Sequence, residues 1–477
     1  MSHTDYTVSP GVPDNQEKTG KDMSTNSSSN RTWIFEEAPI PQAVFTMAVP
    51  TIITQLINIV YNFADAWYVG RTGNPAMVAA LSVGLPIYII IMALANLFGI
   101  GGSSAISRAL GRKDVERARK IFSFSVYGGL AAAIVYGIVV FFSRPVLIPM
   151  IGGNADSYTY IYDYMFWTMV VGAIPTLGNA LCGHLVRSIG AAREAGFGMS
   201  MGGVLNIILD PIFMFVLLPP GMEVTGAAIA TCLSNTCALL YFVIFLYRHR
   251  DNPVFTFSPA DFTLGEDVPG EVFSIGIAAA LQTFLAMVSN IFANKLVVEY
   301  GSAAVAGMGI AKKVNMIAFN TTMGLTQGVL PLIAYNYGAR RFDRMQKTIR
   351  FTAGVALGFT TCCTVFFRLA ARQLITFFID EPASVEFGTQ FLRVLAFAAP
   401  LCALSYMANT IFQAAGLRRY SLILSTMRKG VVDIPAMIIF KMLIGLRGVT
   451  LATPFAEITS VITAGVLYWK FRRKLKK

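Results

Sequence analysis

Apolar stretches of roughly 20 residues recur from Val44 almost to the C-terminus, each long enough to cross a bilayer as a helix. A soluble chain of 477 residues would need far more than 13% charged residues to cover its surface; here 55% are hydrophobic and the mean hydropathy is +0.59. The expected fold class is therefore an all-α polytopic membrane protein. Twelve transmembrane helices are read near 45–69, 78–104, 121–142, 160–186, 196–217, 225–247, 271–298, 303–335, 348–368, 387–414, 420–441 and 448–470.

The first 38 residues are different in kind. MSHTDYTVSPGVPDNQEKTGKDMSTNSSSN is polar and has no apolar core of a signal peptide, so 1–38 is read as a disordered cytoplasmic tail. All six cysteines fall in apolar segments without metal-ligand spacing and are read as reduced core residues. Three scattered histidines offer neither a metal site nor the constellation of a membrane enzyme.

Alternate connections are rich in Lys and Arg, among them Arg108, Arg112, Lys113, Arg117, Arg119, Lys120, Arg187, Arg193, Arg248, Arg250, Arg340, Arg341, Arg344, Lys347, Arg418 and Arg419. By the positive-inside rule these connections and both termini are cytoplasmic, in a multi-pass protein of the inner (plasma) membrane. The net charge of +12 is then an orientation signal and an attraction to anionic lipid, with no need of nucleic acid.

The chain repeats itself. ALGRKDVERARK (109–120) aligns with NYGARRFDRMQK (336–347), LVRSIGAAR (185–193) with IFQAAGLRR (411–419), and NIILDPIFMF (206–215) with KGVVDIPAMIIF (429–440). The offset is 227 residues at the first pair and 223 at the last, so each half carries six helices and both face the same way. The expected organisation is an N-lobe at 39–247, a cytoplasmic linker at 248–269, a C-lobe at 270–471 and a basic cytoplasmic C-terminus at 472–477. Two bundles of this kind suit alternating access around a central cavity.

Ionisable groups at mid-membrane are expensive and mark function by default. Asp65 has Asn58, Tyr61 and Asn62 at spacings of seven, four and three, near one helical face. Asp210 has Asn206 one turn before it and Pro211 behind it, where the missing N–H can free a carbonyl. Carboxylate, amide, hydroxyl and carbonyl oxygens suit a hard cation such as Na⁺, whereas two neighbouring carboxylates suit a shared proton. In the second half Asn294 stands opposite Asp65. Asp433 persists there with Lys429 at i−4, which reads as a self-neutralising salt bridge or gate. The seventh span has Glu271 and Glu299 only at its ends, and Lys312 and Lys313 are read as snorkelling. Gln55, Asn179, Gln282, Met287 and Asn409 are candidates for a substrate cavity, being polar or adaptable residues at mid-span.

VPTIITQLINIVYNFADAWYVGRTG in the first span, ALGRKDVERARK after the second and GNALCGHLVRSIGAAREA between the fourth and fifth form an ordered series of motifs. NIILDPIFMF, GAAIAT and VLPLIAYNYGARRFDRM continue it. With them the chain resembles the multidrug and toxic compound extrusion (MATE) family of the MOP flippase superfamily, over everything after the tail. The resemblance implies a V-shaped pair of six-helix lobes. It implies secondary antiport, with amphipathic, often cationic, drug-like organic compounds leaving in exchange for H⁺ or Na⁺, in a monomer without an organic cofactor. It also implies that Asp65, Asn206, Asp210, Thr231 and Tyr61 form the ion site of the N-lobe. Flipping of lipid-linked precursors is the alternative within the superfamily; it calls for several buried Arg or Lys residues.

Overall fold

The computed structural model describes residues 32–475. Residues 1–31 of the expected tail and Lys476 and Lys477 lie outside the described residues. Helices α1 (Ile40–Gly70), α2 (Pro75–Gly111) and α3 (Val115–Met150) are followed by a broken fourth crossing. There α4 (Ala155–Met165) passes through a π-helical turn at Phe166–Val171 into α5 (Ala173–Ser188), with a bend of 49°. Next come α6 (Ala192–Ile212), which ends in a second π turn at Phe213–Leu217, and α7 (Glu223–Arg248).

The second half repeats the order. It contains α8 (Val268–Val298), α9 (Ser302–Gly338), α10 (Phe342–Leu369) and the short α11 (Ala371–Thr376). A bent pair follows, α12 (Pro382–Leu395) and α13 (Ala398–Ala414), with 43° between them. The eleventh crossing is α14 (Arg418–Thr426), a π turn at Met427–Val431 and α15 (Asp433–Ile444), and α16 (Leu446–Leu475) closes the chain.

Eight helices are long and apolar enough to span a bilayer, or ten when each bent pair counts once. Crossings α9 and α14–α15 complete the twelve; they carry Lys312, Lys313, Arg428, Lys429 and Asp433, which lower their apolarity. Large apolar side chains such as Phe142, Val216, Ile462 and Trp469 point outward, while small ones line the contacts between helices. The repeat is visible in the backbone: Lys113 and Arg340 share a positive φ, as do Gly190 and Gly416.

The two halves meet along α2 with α8 and along α1 with α9. At these crossings backbone touches backbone. A Cβ on Gly276 would lie 2.0 Å from the Leu97 carbonyl oxygen, and one on Gly101 would lie 2.4 Å from that of Val272. Gly111 and Gly338 meet the Tyr335 and Arg108 carbonyls in the same way. All of these contacts lie towards the face that bears the basic connections. At the other face the halves touch through side chains: Phe63 stacks on Phe378 at 6.2 Å, and Lys313 sits 5.0 Å from the Phe63 ring. The molecule is sealed at its basic face.

Two arginines read as loop charges belong to this interior. Helices α2 and α5 run further than the apolar pattern indicates, so Arg108 and Arg187 fall on their last inward-facing turns and are buried. Arg108 donates to the carbonyls of Gln413 and Ala414 at 3.3 Å, a cation placed on the open C-terminal carbonyls of α13.

Segment 249–267 joins α7 to α8 and is tied to the start of α3. Arg119 pairs with Asp261 at 2.8 Å, Arg117 with Glu266 at 3.5 Å and Lys120 with Glu266 at 2.9 Å, and Arg117 also pairs with Glu271 at the start of α8 at 3.0 Å. The Lys120 hydrogen bonds hold the Glu266 carboxyl below its ordinary value.

The expected tail also ends earlier than 38. Residues 32–36 are helical, and Phe35 stacks on Tyr335 at 4.8 Å. Arg344 donates to the Phe35, Ala38 and Ile34 carbonyls at 2.8, 2.7 and 3.2 Å. These are the open carbonyls at the end of that turn, so the guanidinium caps it. Arg344→Ala is expected to speed chymotryptic cleavage at Trp33 or Phe35 by about tenfold, since a lost charge-assisted cap frees the turn. An unchanged cleavage rate would show that apolar packing alone holds it.

Candidate functional site

In α6, Asn206 and Asp210 stand one turn apart, as i,i+4 spacing dictates. The Asn206 amide donates to Asp210 Oδ1 at 2.9 Å and to Thr231 Oγ1 of α7 at 3.1 Å. All three residues are buried, and Asp210 Oδ2 and Asn206 Oδ1 have no partner. Pro211 cannot donate to the Ile207 carbonyl four residues back. The Tyr68 hydroxyl of α1 fills that place at 3.4 Å, and the π turn begins two residues later.

Tyr61 lines a cavity of about 100 Å³ together with Asn206 and Thr231. Asp65, one turn further along α1, is half-buried and within electrostatic reach of Tyr61, Tyr88 and Tyr164, as well as of Asp210. Asn62 does not join the cluster: it is exposed, and its amide donates to the Asn58 carbonyl at 2.6 Å. Asn179 belongs to this cavity too. It donates to Asn235 Oδ1 at 3.1 Å, and Asn235 donates to the Thr231 carbonyl at 3.0 Å. A run of amides and hydroxyls thus reaches from Asn179 to Asp210. Tyr88 and Tyr164 carry no signal in sequence: Tyr88 sits in an apolar run and Tyr164 is one of four tyrosines in SYTYIYDYM, with nothing to separate either from packing tyrosines.

A second cavity, of about 290 Å³, lies between the halves and is walled by α1, α2, α5, α6, α8, α9 and α13. Thr54, Asn58, Met92, Ala180 and Met199 line both cavities, so the two adjoin. Gln55, Gln282 and Asn409 line the central one; Met287 lines neither. The Asn409 amide donates to Gln282 Oε1, and Ser421 donates to Asn409 Oδ1 at 3.0 Å. His184 and Arg187 also line it, and sequence reading assigned them no such place.

The equivalent region of the second half has a different chemistry. Lys429 pairs with Asp433 at 3.0 Å, and Ser289 donates to the same carboxylate oxygen at 2.6 Å. Lys312 does not snorkel: it donates to Asn294, the counterpart of Asp65, at 3.0 Å. Beside them Arg428 and Glu457 form a buried ion pair at 2.7 Å. The guanidinium also donates to Cys402 Sγ at 2.9 Å and lies 4.1 Å from the Tyr406 ring centroid. Glu457→Gln leaves that guanidinium uncompensated and is expected to destabilise the fold by about 3–5 kcal/mol. Arg428→Met combined with Glu457→Leu should recover most of this in thermal denaturation, whereas equal losses would show that the pair itself stabilises. Among the described residues no cluster of His, Cys, Asp and Glu has the make-up of a metal centre.

Two repeated six-helix halves around a shared polar cavity define a membrane transporter. The MatE family model matches residues 50–212 and 275–439, once in each half, and the chain belongs to that family. It is 30% identical to the multidrug export protein MepA of Staphylococcus saprophyticus over 443 residues, covering 93% of this chain and 96% of that one. The Staphylococcus aureus protein of the same name is 29% identical over 444 residues, with the same coverage. Among solved structures, a MATE in complex with MaL6 superposes with a TM-score of 0.85 at 25% identity, covering 93% of this chain and 98% of that one. An outward-facing multidrug resistance MATE family transporter of the MOP superfamily gives 0.85 at 25% identity, with 92% and 97% covered.

Proposed function

We propose that the chain is a secondary active multidrug efflux antiporter that expels amphipathic, often cationic, organic compounds in exchange for H⁺ or Na⁺. One observation carries the reading: a buried carboxylate and amide with unpartnered oxygens, Asp210 Oδ2 and Asn206 Oδ1, beside a cavity that adjoins the central one. These oxygens and the Thr231 hydroxyl fit a Na⁺ ion, and the nearby Asp65 and Asp210 carboxylates fit a proton. The multidrug export relatives support the substrate class. Both cavities are walled by one chain, so a monomer suffices.

With the basic connections in the cytoplasm, the face where backbone meets backbone between the halves is the cytoplasmic one, so substrate released in this arrangement would leave past the side-chain contacts of the other face. Ion capture at Asp210 neutralises the charge that Asn206 holds. Pro211 and the π turn behind it give α6 a weak point at which to bend in response. That couples the ion cavity to the wall it shares with the central cavity, and the coupling acts in both directions. Flipping of lipid-linked precursors has less support, because Arg187 is the one arginine or lysine lining the central cavity among the described residues. Expression in drug-sensitive cells should lower ethidium accumulation below that of an empty-vector strain. Equal accumulation at matched expression would sink the reading.

A further inference from the structure

Arg187 is 2% exposed, yet among the described residues no carboxylate pairs with it. Its one hydrogen bond is to Met199 Sδ at 3.4 Å, and its Nε has no partner. It lines the central cavity near the sealed face, with His184 one turn before it on α5. A buried charge is ordinarily paired, because its lost hydration must be replaced. Arg428 and Arg108 follow that rule, the first with Glu457 and the second with helix-end carbonyls. Arg187 does not, and the open side of its surroundings is the cavity itself.

We propose that Arg187 is the anion-binding end of the substrate cavity, and that preferred substrates are amphiphiles carrying a carboxylate. The planar guanidinium offers a fork of donors that matches a carboxylate in two parallel hydrogen bonds. Met92, Met199 and Tyr406, in the same cavity, offer adaptable apolar contacts to the rest of the molecule. A zwitterion fits best: its anionic group meets Arg187, while its cationic group lies towards the wall shared with the cavity of Tyr61, Asn206 and Thr231, beside which Asp210 is buried. This inference rests on the multidrug reading and narrows it.

The test is binding of two dyes to the purified full chain by fluorescence polarisation. Rhodamine 110 is a free acid, and rhodamine 123 is its methyl ester and a pure cation. Wild type is expected to bind the acid at least as tightly as the ester. Arg187→Met should weaken the acid by about tenfold, leave the ester within about twofold, and melt no lower than wild type, since an unpaired buried charge has been removed. Arg187→Lys should fall between. Equal loss of both dyes in Arg187→Met, a lower melting temperature with no discrimination, or wild-type binding of the ester alone would overturn the inference and leave the multidrug reading standing. Stabilisation by inorganic phosphate or chloride without discrimination between the dyes would assign Arg187 to an inorganic anion instead. If wild type binds neither dye, the multidrug reading fails and the inference with it.

Discussion

Asp210→Asn is expected to reduce efflux to the empty-vector level while the protein still folds and binds dye. The substitution keeps the volume and the hydrogen bond to Asn206 feasible, because an amide oxygen accepts where Oδ1 does now. It removes the charge and with it both ways of holding an ion, protonation and coordination. Coupling between two binding sites is typically a 5–150-fold effect on affinity, about 1–3 kcal/mol. Dye affinity in the variant should lie within about threefold of the value wild type shows with the ion bound, and stop responding to pH and Na⁺, so uphill transport has nothing to drive it. Fluorescence polarisation across pH and Na⁺, run beside whole-cell efflux, reads both quantities. Asp65→Asn should give a smaller loss, because Asp65 is half-buried and lies outside the Asn206–Thr231 hydrogen bonds.

Gly276→Val is expected to stop transport by a different route. The added Cβ would stand 2.0 Å from the Leu97 carbonyl oxygen, a contact no side-chain adjustment relieves because the obstacle is backbone. The sealed arrangement becomes inaccessible, whereas one that opens at the basic face escapes the clash, so the chain should remain folded and trapped. Efflux should fall at least about tenfold at normal protein levels, in line with a shift of about 1.4 kcal/mol or more between states. Hydrogen exchange should quicken in the facing parts of α2 and α8. Gly354→Val, at an α10 position with open space around it, is the matched control and should be silent. Normal efflux in Gly276→Val would mean that this contact is not part of the working cycle.

These two expectations differ in how far they could be read from sequence. Asn206 and Asp210 were legible because i,i+4 spacing on a helix admits one outcome, and a carboxylate in an apolar run calls for an explanation. Twelve crossings and two halves were legible because hydropathy and the aligned motifs are local. The seam was not: Gly101 and Gly276 are visibly small, yet nothing in either helix names its partner. Arg108 and Arg187 read as loop charges because the apolar pattern stops at 104 and 186, short of the helix ends at Gly111 and Ser188. Arg428 and Glu457 find each other across 29 positions, and sequence holds no record of that pairing. Asn62 shares a helical face with Asp65 but satisfies its amide on its own backbone, an option periodicity does not see. Met287 is a candidate by its chemistry alone, and chemistry without position does not place it at either cavity.

The most direct measurement is dye movement in proteoliposomes under a pH gradient or a Na⁺ gradient, imposed separately, for wild type and Asp210→Asn. The expected result is uphill accumulation under at least one gradient in wild type and none under either in Asp210→Asn. Uphill accumulation by Asp210→Asn equal to that of wild type would contradict the assignment of ion coupling to this cluster.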